Sequence, residues 1–160
     1  GSTMEVSDDV KRIAPIAEKH KLYIILHNHG QPGNPDFSFD RLLAHGSNVM
    51  LNFDIGHYFG ATGIHPNELI QRLHDRIVSI HVKDKTAKTA ADPDKNRSFG
   101  EGDTPVKEVL QLIRDKKWPI YCDIELEYDY PKSSDAVKEV KKCMEFCKQI
   151  LYDKTNIQNK

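Results

Sequence analysis

Four short apolar runs, at 22–26, 49–54, 77–82 and 120–126, punctuate the chain, and each has the length and the β-branched or aromatic content of a strand. Between them the apolar positions recur at helical spacing. A helix is expected over 38–45, ending at Gly46, and another opens at Pro66 with Leu69, Ile70 and Leu73 on one face. Pro105 opens a third with Val106, Val109, Leu110 and Ile113, and a fourth spans 134–151. Ahead of the first strand, Ser7 is suited to cap a helix with Asp8 and Asp9 in its first turn and Val10, Ile13, Ala14 and Ala17 on its apolar face. Pro15 within that pattern predicts a kink or a later start. Strand and helix thus alternate four times, which predicts α/β architecture with parallel strands joined by right-handed crossovers.

Within the strands the alternation is chemically one-sided. One face carries Val49, Leu51 and Phe53, then Val78, Ile80 and Val82, then Ile120, Cys122, Ile124 and Leu126. The opposite face carries Asn52 and Asp54, then Ser79, His81 and Lys83, then Asp123, Glu125 and Glu127, and His27 and His29 share a face in the first strand, with Asn28 pointing away. Strands of a parallel sheet normally read as apolar on both faces. Here His27, Asp54, His81 and Glu125 end four successive strands, with 27 residues from the first to the second and again from the second to the third. Burying such groups unpaired would cost several kcal/mol each, so a metal, a polar ligand or mutual pairing must compensate. For one strand, solvated charges would be the better reading; four strands of one polarity favour a site. Both closed barrels and open parallel sheets place functional groups at C-terminal strand ends, but only a barrel curls four of them around one point.

Composition narrows the function classes. Acidic and basic residues, 24 and 23, are interspersed and leave a net charge of −1, so no basic stripe for nucleic acid or anionic lipid is present. No apolar run approaches the length of a membrane span. Residues 1–4 read as a cloning remnant ahead of a single domain over 5–160; a targeting segment could have been removed there, and a cytoplasmic location is expected. Cys143 and Cys147 lie on the stripe of the last helix with Val137, Val140, Met144 and Ile150, and with Cys122 they are expected to be buried free thiols.

Five motifs in order, LHNH at 26–29, FDIGH at 53–57, HVKD at 81–84, FGEGDTPV at 99–106 and IELEY at 124–128, resemble the sugar isomerase and epimerase superfamily with the xylose-isomerase-like (β/α)8 barrel, in its second half only. The resemblance implies a divalent metal held at strands five to eight, with Asp54, His81 and Glu125 matching three of four ligand positions. At the fourth, His27 stands where many epimerases place a glutamate, and His27 or His29 is the implied ligand. Oxygen-rich ligation with imidazole suits manganese or zinc, with magnesium or cobalt as alternatives. The implied activity is proton transfer through an enediolate on a small carbohydrate, with Glu125 as base, His27 as the other acid or base, and Lys83 either neutralising an oxyanion or pairing with Glu127. His57, Arg97 and Glu101 are implied substrate contacts, and Asp84 orients His81 or caps the loop that follows it.

A lyase using the same enolate chemistry, a phosphodiesterase similar to endonuclease IV, and a noncatalytic sugar-binding or assembly module are the rival readings. The neutral charge speaks against the phosphodiesterase. His20, His45, His65 and His74 read as surface or capping residues, and Trp118 as packing at the entry to the last strand. Four strands make half of an eight-stranded barrel, so either self-association or a missing N-terminal half-barrel is expected, and this half-length chain need not be active alone.

Overall fold

A computed structural model of the chain describes residues 2–3 and 7–152. Five parallel strands form one sheet in the order β1 (Ser2–Thr3), β2 (Ile24–His27), β3 (Val49–Asp54), β4 (Ile77–Val82) and β7 (Tyr121–Ile124). A two-stranded antiparallel ribbon, β5 (Asp84–Lys85) with β6 (Asn96–Arg97), follows β4 directly. Helices α1 (Ser7–Lys19), α2 (Phe39–Leu43), α3 (Ile55–Thr62), α4 (Pro66–Leu73), α5 (Val106–Lys116) and α6 (Ala136–Tyr152) supply the connections. The order of the strands follows the sequence, as in a barrel opened out, and the fold is half of a (β/α)8 barrel.

The core lies between the apolar sheet face and the helices. Leu26, Val49, Leu51, Phe53, Ile80 and Val82 are at most 1% exposed and pack with Val10, Ala14, Leu42, Ile70, Val109, Leu110 and Ile150 from the helices. Fully burying each such side chain is worth about 1.5–3 kcal/mol, enough for this layer to set the register of the sheet. Polar ties support it. Arg76 Nη2 donates to the carbonyls of Leu43, Gly46 and Val49, and the Asn48 amide donates to those of Ala14 and Leu22. Trp118 stacks on His74 with ring centroids 4.4 Å apart, and His65 caps α4 by accepting from the Asn67 N–H.

Several expectations change. The helix α1 begins at Ser7 and runs through Pro15, so the later start is not adopted; the Ser7 cap itself lies outside the described side chains. The last strand stops at Ile124, and Tyr121, Cys122 and Asp123 are exposed, so Cys122 is a free but exposed thiol while Cys143 and Cys147 are buried. The stripe of α6 divides likewise: Ile150 is buried, yet Val137, Val140 and Met144 are exposed. Both departures sit at the β7 edge, where a closed barrel would continue. Asn28, on the opposite face from His27, is fully buried and lies outside the four clustered residues. No helix among the described residues is long and apolar enough to cross a membrane.

Candidate metal centre

Register brings the strand ends together. Asp54 is paired with His81 across β3 and β4, and His27 lies beside Asn52 across β2 and β3. Glu125, one residue beyond β7, is held in line by its N–H, which donates to the Val82 carbonyl at 3.1 Å. Each of His27, Asp54, His81 and Glu125 offers one ligand atom, and these atoms all lie within 4.8 Å of one another.

Asp54 is the most constrained of the four. It is the last residue of β3 and also caps α3: its Oδ1 accepts from the His57 N–H at 2.7 Å. The Asn28 side chain clamps its backbone, donating to the Asp54 carbonyl and accepting from its N–H, both at 3.0 Å. The side chain is fully buried, yet Oδ2 has no hydrogen-bond partner among the described residues. His27 Nδ1 is likewise buried without one. Asp54 Oδ2 is met instead by the Lys83 ammonium at 3.3 Å, so a carboxylate oxygen already facing a positive charge and one unpartnered imidazole nitrogen lie at the cluster, an arrangement a cation can satisfy. A donor set of two imidazoles and two carboxylates fits manganese, zinc or cobalt better than magnesium, which prefers oxygen throughout.

The surrounding charges are arranged closely. His81 Nδ1 lies 2.8 Å from Glu125 Oε2 and its Nε2 lies 2.9 Å from the Asn52 amide, so the ring is fixed at both nitrogens. That contact with Glu125 raises the His81 pKa and, with Lys83 adding to it, holds the Glu125 carboxyl well below the usual carboxylate range. Burial pushes the Asp54 carboxyl up, partly offset by Lys83 and the His57 N–H, and burial and the neighbouring His81 push His27 down. Lys83 is 2% exposed. Its Nζ lies 2.6 Å from Glu127, 3.0 Å from Glu125 and 3.3 Å from Asp54. Burial works against its charge, but these carboxylates prevail and raise its pKa.

His57 sits between two lysines, 2.9 Å from Lys83 Nζ at Nε2 and 3.2 Å from Lys85 Nζ at Nδ1. Burial and the two ammonium groups lower its pKa to about 3, so it is neutral at ordinary pH. Lys85 is itself buried and pairs with Asp94 at 2.8 Å. His29 is exposed and outside the four-residue cluster, its ring packed edgewise against His27 and His57. Asp84 makes the loop cap: it accepts from the backbone N–H groups of Gly100, Gly102 and Thr104 and makes no described hydrogen bond to His81. That is why FGEGD needs its glycines, since a Cβ on Gly102 would meet the Asp84 carboxylate and Gly100 adopts φ of +87°.

Arg97 and Glu101 line a separate cavity with Lys95, Tyr128, Glu139 and Lys142, and none of the four clustered residues lines it. Three neighbours escaped the sequence reading: Asn28, Asn52 as the partner of His81, and Lys85. The repeated spacing in His81-Val82-Lys83-Asp84-Lys85 was the available signal for Lys85, since alternate residues of a strand share a face.

Strand ends of a parallel (β/α) half-barrel converging on such a donor set define the class. The chain matches the xylose isomerase-like TIM barrel over residues 2–150, and it belongs to that family. A xylose isomerase domain protein from Planctomyces limnophilus shares its fold at 18% identity and a TM-score of 0.65, over 92% of this chain and 52% of that one. The probable 3-DHS dehydratase AsbF from Bacillus anthracis, involved in petrobactin synthesis, does so at 21% identity and 0.59, over 87% and 55%. The chain therefore spans about half the length of the solved structures it resembles. No curated protein sequence matches it.

Proposed function

We propose that the protein is the half of a divalent-metal-dependent isomerase or epimerase that carries strands five to eight and most of the metal site, acting on a small carbohydrate by moving a proton beside a carbonyl. The observation that carries this reading is the convergence of His27, Asp54, His81 and Glu125, where buried His27 Nδ1 has no hydrogen-bond partner among the described residues and buried Asp54 Oδ2 is met by the Lys83 ammonium at 3.3 Å. A cation held by these residues would polarise a substrate carbonyl and its neighbouring hydroxyl.

The chain's own groups have the protonation states that such chemistry requires. Glu125 is ionised and able to accept a proton through the carboxylate oxygen left free, while His27, lowered by burial, is neutral and so offers its lone pair to the cation. His57, held neutral, has a lysine ammonium at each ring nitrogen, so it orients the two lysines and would reach a substrate hydroxyl only where one of them withdraws. Lys83 is occupied by three carboxylates, so pairing rather than oxyanion contact is its role in this arrangement.

Solvent-deuterium incorporation into a panel of ketoses, with manganese or zinc added, tests the reading. Exchange that is abolished by chelator and by Asp54→Asn is expected. Metal binding without exchange into any ketose would overturn it in favour of a noncatalytic module. Loss of water from a keto substrate would assign a lyase, as for the probable dehydratase that shares the fold.

We further propose that a second copy covers the open edges of the isolated chain. Tyr121, Val137, Val140 and Met144 are exposed at the β7 edge, and Ile13, Ile16, Leu22 and Tyr23 at the other, so a two-fold arrangement would bring unlike apolar edges together twice. Light scattering should give twice the 18.3 kDa chain mass; a stable monomer would contradict it.

A further inference from the structure

The ammonium of Lys83 is the one cation among the described residues that touches two of the four clustered side chains. It lies 3.0 Å from Glu125 and 3.3 Å from Asp54, and its shortest contact, 2.6 Å, is to Glu127, which is not one of the four. Asp54 and Lys83 are nearly inaccessible, whereas Glu127 is 41% exposed, so Lys83 bridges the buried carboxylates and an outer one.

The balance of charge is informative. Three carboxylates, Asp54, Glu125 and Glu127, surround one ammonium, so with all three ionised two negative charges are left over, the complement of a divalent cation. Lys85 does not alter this, because Asp94 neutralises it. Close approach of Lys83 is also built in: Gly56 leaves room where a Cβ would lie within 2.9 Å of the Lys83 stem and 2.8 Å of its carbonyl oxygen.

We infer that Lys83 is a resident counter-ion of the metal site, holding Asp54 and Glu125 together in the metal-free protein and withdrawing to Glu127 when a divalent cation takes those two carboxylates. This rests on the metal-binding reading above and adds to it a positioning residue that sets how tightly the cation is held. Without Lys83, the carboxylates at the ends of β3 and β7, on either side of β4, would repel across a buried site. With it, the cation must displace one ammonium contact and tolerate a nearby positive charge, so Lys83 lowers affinity in exchange for an ordered empty site.

Calorimetric titration with Mn2+ on the wild type, Lys83→Met and Glu127→Gln tests the inference, with circular dichroism confirming the fold of each. Lys83→Met keeps the buried stem and removes the competing charge, so Mn2+ should bind at least about tenfold tighter, while the melting temperature of the metal-free protein falls. Glu127→Gln removes the alternative partner and should weaken Mn2+ binding several-fold. The second variant leaves the core untouched and decides the matter if the first folds poorly. Weaker binding in Lys83→Met with no change in Glu127→Gln would reduce Lys83 to a structural pair and overturn the inference, as would unchanged affinity in Glu127→Gln when Lys83→Met does not fold. Absence of binding to the wild type would overturn the metal reading and the inference with it.

Discussion

Gly56→Ala joins the two motifs that matter most, because Gly56 of FDIGH packs directly on Lys83 of HVKD. A Cβ there would lie 2.8 Å from the Lys83 carbonyl oxygen and 2.9 Å from its Cβ and Cγ, where ordinary contact begins near 3.4 Å. The nearest atom belongs to the backbone at the exit of β4 and cannot rotate away, so the start of α3 and the β4 exit must separate by roughly half an ångström in a closely packed region. Overpacking of this kind costs about 1–3 kcal/mol. Alanine returns about 0.5–1 kcal/mol through its helix propensity, and Gly56 is not among the positive-φ residues, so no backbone strain is added. The net destabilisation is about 0.5–2 kcal/mol, a fall of a few degrees in melting temperature for a chain this size. Because the displaced residue is Lys83, Mn2+ affinity should change as well. Gly30→Ala, where no described atom lies within 4 Å, is the control and should be neutral. Urea unfolding and metal titration of both variants give the answer. A Gly56→Ala protein with wild-type midpoint and wild-type affinity would refute the close coupling of the two motifs.

Asn28→Ala removes the clamp on both backbone groups of Asp54 and leaves two buried polar groups unpaired; a loss of about 2–4 kcal/mol in urea unfolding is expected, together with weaker metal binding. A loss confined to stability would show that the clamp does not position the ligand. Glu139 is hydrogen-bonded by Lys142, Ser134 and Tyr128, and the Lys142 contact leads in lowering its pKa from 4.5 to about 2. A carboxyl depressed on folding stabilises above its unfolded pKa and loses that contribution as pH falls through the folded value. Glu139→Gln should therefore melt below the wild type at pH 6, with the gap closing toward pH 2; a gap independent of pH would contradict this assignment.

The apolar layer was the most legible part of the sequence. Strands β3 and β4 fall where the runs at 49–54 and 77–82 place them, because their alternation is fixed by one buried face. The clustered side chains were legible for the same reason, since strand period and register leave little freedom at strand ends. Less legible was α3, whose cap is Asp54 itself: a residue read as a ligand also starts a helix, and one-role reasoning misses the second role. The ribbon of β5 and β6 lay hidden in the polar stretch after Lys83, because its ladder of two residue pairs is too short to show a period. The exposure of Val140 and Met144 could not be read from their spacing, which is that of a buried stripe; it arises because the sheet ends at β7.

His27, Asp54, His81 and Glu125 are proposed to hold one divalent cation. Anomalous diffraction at the manganese or zinc edge from metal-supplemented crystals tests it directly. One peak bonded to Asp54, His81, Glu125 and a His27 ring nitrogen is the predicted result. No peak at the strand ends, or a peak with Lys83 still bridging Asp54 and Glu125, would contradict it.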